Sequence, residues 1–176
     1  MQPHNGVIGK TPFDREDDKV KRTSFENAEC PVARSLDSIG DWWSLLIIRD
    51  ALLGLRRFGE FQKSLGLAKN ILTVRLRALV GNGILKTAPA SDGSAYQEYV
   101  LTPKGRGVFP VLVALRQWSE EFCFSSEGCT VMLVDRDKGQ PVRKLELRAE
   151  DGRLLGDGDI QVRSKTKPRT KASRSR

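Results

Sequence analysis

Two short amphipathic segments joined by a glycine constrain this chain more than any other feature. Phe58, Phe61 and Leu65 recur at intervals of three and four residues, which predicts a helix over 58–65 with one apolar face. Gly66 follows as a tight turn, because a residue without Cβ ends a helix readily in the left-handed conformation. Leu72, Leu76, Leu79 and Val80 make a second apolar stripe, over a helix running from about Lys69 to Val80 with Asn70 as the expected cap. Isolated helices of this length are marginal in water, so both must pack on something else. The segment WWSLLIIRDALL answers that need. It is apolar nearly all round apart from Ser44, Arg49 and Asp50, and predicts a central, buried helix over Trp42–Leu53 capped by Asp41. A leading helix over Pro31–Ile39, with Val32, Leu36 and Ile39 on one side, precedes it and ends at Gly40.

Downstream of the pair, Ile84–Ala88 and Tyr96–Leu101 read as strands joined by PASDGSA, in which Asp92 and Gly93 supply hairpin turn chemistry. Thr102 and Pro103 are suited to cap and start a further helix, expected to run to about Phe124 with Val108, Leu112, Leu115, Trp118 and Phe122 as its apolar stripe. Beyond Gly128 the period changes to two, in VMLVD, PVRKLELR and Ile160–Val162, which predicts a meander of about three strands. The expected fold class is mainly α with a small β component: a winged helix-turn-helix followed by a short C-terminal β-strand extension. The corresponding organisation is a flexible arm over 1–27, the winged domain with its dimerisation elements over 28–127, the β-rich extension over 128–162 and a disordered basic tail over 163–176.

Charge gives this unit a partner. Thirty Lys and Arg stand against 22 Asp and Glu, a formal charge of +8. Residues 163–176 hold seven basic residues and no acid, so the rest of the chain is close to neutral; within it, 49–86 carries eight basic residues against two acidic ones. The one basic zone of the body therefore coincides with the helical pair, the electrostatic footprint of nucleic-acid binding. The outer face of the second helix presents Lys69, Asn70, Thr73, Val74 and Arg77 opposite its apolar stripe. Asn pairs with adenine edges, Arg or Lys with guanine, and Thr or Val packs on a thymine methyl. Arg75 lies on the flank, suited to a phosphate or to an intramolecular pair. Arg56 and Arg57 before the first helix of the pair, Lys86 at the hairpin base, and Lys104 with Arg106 are the phosphate candidates. The hairpin tip, Ser91-Asp92-Gly93-Ser94, carries an acid and no cation, so insertion of the wing into a groove is not expected.

Other classes are disfavoured. No stretch approaches the roughly 18 apolar residues of a membrane span, and MQPHNGVIGK lacks the apolar centre of a signal peptide, so a cytoplasmic protein is expected. Cys30, Cys123 and Cys129 form no CxxC pair and His4 is the one histidine, which argues against metal, cofactor and disulfide alike. An enzyme with Cys30 as nucleophile would lack a neighbouring base. The remaining alternative to DNA is an interaction module whose basic face docks an acidic partner protein.

The run CPVARSLDSIGDWWSLLIIRDALLGLRRFGEFQKSLGLAKNILTVRLRALVGNGIL, continued by YVLTPKG and VLVALRQW, resembles the HxlR-type transcriptional regulators over about residues 27–124. The resemblance implies a bacterial, cytosolic, homodimeric regulator acting on double-stranded DNA, with an inverted-repeat operator and a dimer contact made by the first and last helices. Val32, Leu36, Leu112, Leu115, Trp118 and Phe122 are the expected contact residues. It implies that ILTVRL lies in the recognition helix, with Asn70, Thr73, Val74 and Arg75, and that Cys30 matches a cysteine used by several members to sense electrophiles or oxidants. Trp42 stands where many members have Lys, and Ala68 where many have Ser or Thr. A helix N-terminus would lower the Cys30 pKa and Glu29 would raise it; a buried, inert thiol at the dimer contact is the other reading of that residue. A strand-rich extension occurs in some members only.

Overall fold

The helix that the sequence marks as central is central. In the computed structural model, which describes residues 24–124 and 128–163, the first four helices are α1 (Pro31–Ile39), α2 (Trp42–Leu52), α3 (Phe58–Leu65) and α4 (Lys69–Gly81). They are followed by strands β1 (Leu85–Pro89) and β2 (Gln97–Leu101) and by helices α5 (Pro103–Arg106) and α6 (Phe109–Phe122). The His4 position, most of the N-terminal arm and nearly all of the basic tail lie outside the described residues. The chain divides into two compact units, with the boundary between Gly107 and Val108.

In the first unit α2 packs against α1, α3, α4 and β2. Ile47 and Ile48 of α2, Phe61 of α3, Leu72, Leu76 and Leu79 of α4, and Ile84 and Leu85 at the hairpin base are fully enclosed. Leucine at an enclosed position of this kind contributes about 2 to 5 kcal/mol relative to alanine. Asp41 caps α2, its Oδ1 accepting from the Ser44 amide at 3.0 Å. Gly66 closes α3 at φ +64°, and with Leu67 and Ala68 makes the three-residue turn into α4. The antiparallel hairpin pairs Leu85 with Leu101 and Thr87 with Tyr99. It is tied to the start of α3 by the Tyr99 amide, which donates to the Arg56 carbonyl at 2.7 Å.

Three expectations need correction. Asn70 does not cap α4: Ala68 occupies the cap position and offers no side-chain acceptor, which leaves Asn70 in the first helical turn. The single helix expected over 102–124 is two helices. Pro110 lacks the amide that would bond the Arg106 carbonyl, and Gly105 and Gly107 are poor helix formers, so the helix breaks at Gly107 and restarts at Phe109. The meander expected over 128–162 does not form. Its pairing is confined to the isolated bridges Val134 with Pro141 and Arg148 with Leu154, and a three-residue 3-10 turn spans Asp157–Asp159. The apolar residues alternate, but Val142, Leu145 and Leu147 find no opposing layer and remain exposed. This segment leans on α6 within the second unit instead. The Gln117 side chain donates to the Arg143 carbonyl at 3.0 Å and accepts from the Leu145 amide at 2.8 Å, and Glu121 pairs with Lys144.

Gly105 locks α5 onto the hairpin. Thr102 caps α5 by accepting from the Gly105 amide at 3.1 Å and donates its own hydroxyl to the Gly83 carbonyl at 2.6 Å. A Cβ on residue 105 would stand 2.2 Å from the Ile84 carbonyl oxygen. Gly105→Ala is therefore expected to destabilise the fold by about 1 to 3 kcal/mol, since backbone rather than a flexible side chain must give way. Urea unfolding should show a lower midpoint with the slope unchanged.

Candidate nucleic-acid interface

At about 100° per residue, the enclosed Leu72, Leu76 and Leu79 fix which side of α4 faces away from the core. Val74 stands at the centre of that outward side and is 58% exposed, with Asn70 and Arg77 along one edge and Ile71 and Ala78 along the other; all are exposed. Neither the Asn70 nor the Arg77 side chain has a hydrogen-bond or ion-pair partner among the described residues, and the same is true of the Lys69 ammonium. Thr73 sits lower on the flank, half-buried, and its hydroxyl donates to the Lys69 carbonyl at 2.7 Å. Ile71 was not singled out in the sequence, although its spacing of three and seven from Val74 and Ala78 was the available signal.

The basic zone is rearranged by folding. Arg75 pairs with Asp41, Nε to Oδ1 at 3.3 Å, and so ties the middle of α4 to the cap of α2. Arg56 approaches Glu98 at 3.6 Å. Arg57 pairs with Asp92 at the hairpin tip, approaches Glu98 at 3.8 Å, and lies 5.9 Å above the Tyr96 ring. Arg49 pairs with its neighbour Asp50 at 2.7 Å. Lys104 donates to the Asn82 carbonyl at 2.8 Å, satisfying the C-terminal end of α4. Of the eight basic residues in 49–86, Lys63, Lys69, Arg77 and Lys86 are left without an ion-pair partner among the described residues. Lys63 is an addition to the cations expected to face DNA.

The acids that hold these arginines are themselves well anchored. Glu98 accepts from the Ser91 amide and hydroxyl, which together with the nearby Arg56 keep its carboxyl below the ordinary range. Glu60 accepts from the backbone amides of Arg56 and Arg57 at 2.7 and 2.8 Å, and these bonds depress its pKa in the same sense. The amides that open α3 are thus already satisfied by its own first turn.

Cys30 occupies the N-cap of α1 and is exposed, as is Cys123, while Cys129 is half-buried. Val32, Leu36, Leu115, Trp118 and Phe122, on the apolar stripes of α1 and α6, are all exposed, and Leu112 is half-buried. Among the described residues no group of His, Cys, Asp and Glu could hold a metal ion, and no helix is long and apolar enough to cross a membrane.

The model of the HxlR-like helix-turn-helix family matches residues 38–127, just over half of the chain. The protein belongs to the HxlR-like helix-turn-helix family. An uncharacterised HTH-type transcriptional regulator of Mycobacterium bovis is 40% identical over 109 residues, covering 62% of this chain and 69% of its own. A regulator of the same description from Synechocystis is 32% identical over 106 residues, or 60% and 78%. Among solved structures, the candidate transcription factor PA1607 is 59% identical, covers 80% of this chain and 99% of its own, and superposes with a TM-score of 0.76. PA1374 of Pseudomonas aeruginosa, also a candidate transcription factor, is 44% identical over 77% and 92%, with a TM-score of 0.54. This HxlR-like protein is a DNA-binding transcriptional regulator and not an enzyme. Its hairpin, β1 with β2, is the wing, and α3 with α4 is the helix-turn-helix.

Proposed function

We propose that the protein binds an inverted-repeat operator as a homodimer, with one α4 in each of two successive major grooves. The observation that carries this reading is the outward side of α4, where Asn70, Val74 and Arg77 are exposed and the two polar side chains are unengaged. Such a face can approach base edges without first breaking contacts of its own. Ile71 extends the apolar part of the face toward thymine methyl groups. Lys63, Lys69 and Lys86 contact phosphates, which position the helix without reading sequence. Arg75 acts through Asp41 by holding α4 against α2, and Lys104 closes the end of α4; neither reads bases. Arg56 and Arg57 are committed to the wing.

The dimer covers the apolar stripes of α1 and α6. A chain leaving Trp118 58% exposed beside Phe122, their ring centroids 6.0 Å apart, has a face suited to a second copy. The winged domain with its dimerisation elements extends over 28–127, and the segment from 128 to 162 is an appendage that buttresses α6. Family membership favours DNA over an acidic protein as the occupant of the basic face. The test is selection of sites from a pool of random duplexes, followed by footprinting and sedimentation. Half-sites related by two-fold symmetry and about one helical turn apart, roughly 34 Å, are expected; an asymmetric site bound by a monomer would refute the arrangement.

Cys30 is the position at which an oxidant or electrophilic effector would act. It is exposed and opens α1, whose stripe belongs to the dimer contact, so an adduct there changes the spacing of the two recognition helices. Operator affinity should change reversibly on treatment with a thiol oxidant. Cys30→Ser should be indifferent, while Cys123→Ser and Cys129→Ser respond as the parent does. A response that survives in Cys30→Ser would remove the thiol from this role.

A further inference from the structure

We infer that Asp92, at the tip of the wing, sets the ratio of operator binding to non-specific DNA binding by withholding the charge of Arg57 from phosphate. This rests on the DNA-binding reading of α3 and α4 and adds a residue that opposes it. In a helix-turn-helix the first helix of the pair crosses the DNA backbone while the second enters the groove. Arg57 is the N-cap residue of that first helix, and the free cation Lys63 lies six residues further along it. Both line an open cleft of about 650 Å³ between the start of α3 and β2, with Phe58, Glu60, Tyr96 and Gln97. A guanidinium at this place would face phosphate. It faces Asp92 instead.

The contact is built from both sides. Asp92 Oδ1 accepts from the Ser94 amide at 3.1 Å, which fixes the carboxylate within its own turn, and Oδ2 takes the Arg57 Nη2 donor. Glu98 lies 3.8 Å from Arg57 Nε, and the Tyr96 ring lies beneath the guanidinium. Arg57 and Ser94 together hold the Asp92 carboxyl well below the ordinary carboxylate range, so the pair is charged at any pH used for DNA binding. Glu98, with only 5% of its side chain exposed, is enclosed and braces the wing. The Asp92 side chain is half-exposed, on the surface at the hairpin tip. A surface pair of this kind contributes little to folding. Its charge, by contrast, cancels one cation on the side of the molecule that meets DNA, and non-specific affinity depends on how many cations meet phosphates.

The test compares Asp92→Asn, Arg57→Gln and the double variant on the intact protein, using a selected operator and a random duplex of equal length over a range of salt. Asn keeps an acceptor for the Ser94 amide and removes only the charge. Asp92→Asn should tighten random-duplex binding by roughly fivefold to tenfold near 0.1 M salt and steepen the salt slope by about 0.9, as expected for one more phosphate contact. Operator preference over random DNA should fall accordingly. Arg57→Gln should bind random DNA within about twofold of the parent, and in the double variant the gain from Asp92→Asn should vanish. An unchanged Asp92→Asn would overturn the inference. So would a gain that persists without Arg57, because Asp92 would then act by repelling phosphate directly. If the parent protein binds neither duplex, the DNA-binding reading itself fails, a result distinct from both.

Discussion

Trp118→Ala should convert the protein to monomers at concentrations where the parent is dimeric, with a loss of about 3 to 5 kcal/mol of dimer stability, the range for deleting a large aromatic from a fully packed site. Within one chain Trp118 is exposed and its partner Phe122 more so, so truncation leaves little of the monomer fold to lose. The thermal unfolding of a dilute monomeric sample should therefore shift little, whereas sedimentation equilibrium should shift strongly. Operator affinity should fall with dimerisation because each monomer retains one α4, and binding to a single half-site forfeits the second set of contacts. Random-duplex binding, which needs phosphates and no symmetry, should decline much less. A Trp118→Ala protein that sediments as a dimer, or a monomer that still binds the inverted repeat as tightly as the parent, would contradict the assignment of α6 to the contact.

Asn70→Ala and Arg77→Ala should each cost about 1 to 3 kcal/mol on the operator, or about fivefold to 150-fold in affinity, and should relax base preference at separate positions of the half-site. The expectation follows from their unengaged side chains on the outward side of α4. Arg75→Ala gives the informative contrast. Its guanidinium is spent on Asp41, so the change should loosen α4 against α2 and lower stability, with a similar fractional loss on operator and random DNA. A selection experiment run on each variant distinguishes these outcomes, since a lost base contact changes the preferred sequence and a lost brace does not. Equal losses on both duplexes for Asn70→Ala would mean that its helix does not enter the major groove.

The helical pair, its turn and the wing were readable from residues alone because the forces that shape them are local or periodic. Leucines at 72, 76 and 79 can share a side in one helical register, Gly66 is free to take φ +64°, and Thr102 followed by Pro103 is a helix start in almost any context. The outward side of α4 followed from its inward side for the same reason, with Thr73 lying lower on the flank than expected and Ile71 overlooked. The family resemblance was legible too, in an ordered set of short motifs that the family match over 38–127 bears out.

What residue order did not determine was the fate of charges and of alternating apolar residues, because both depend on partners far away in the chain. Arg57 meets Asp92 across 35 positions, and Arg75 meets Asp41 across 34. A count of nearby charges treats both arginines as free, yet folding pairs them and leaves Lys63, Lys69, Arg77 and Lys86 without an ion-pair partner among the described residues. The alternating valines and leucines after Gly128 describe strands only if a second layer exists to cover them; Val142 and Leu147 are exposed, and the segment settles into turns braced by Gln117 of α6. Local sequence therefore determined which elements form and which side of each is apolar, through hydrogen bonds within a turn and side-chain periodicity. Tertiary structure alone decided which cations remain available, because an ion pair is set by distance in space and not by separation along the chain.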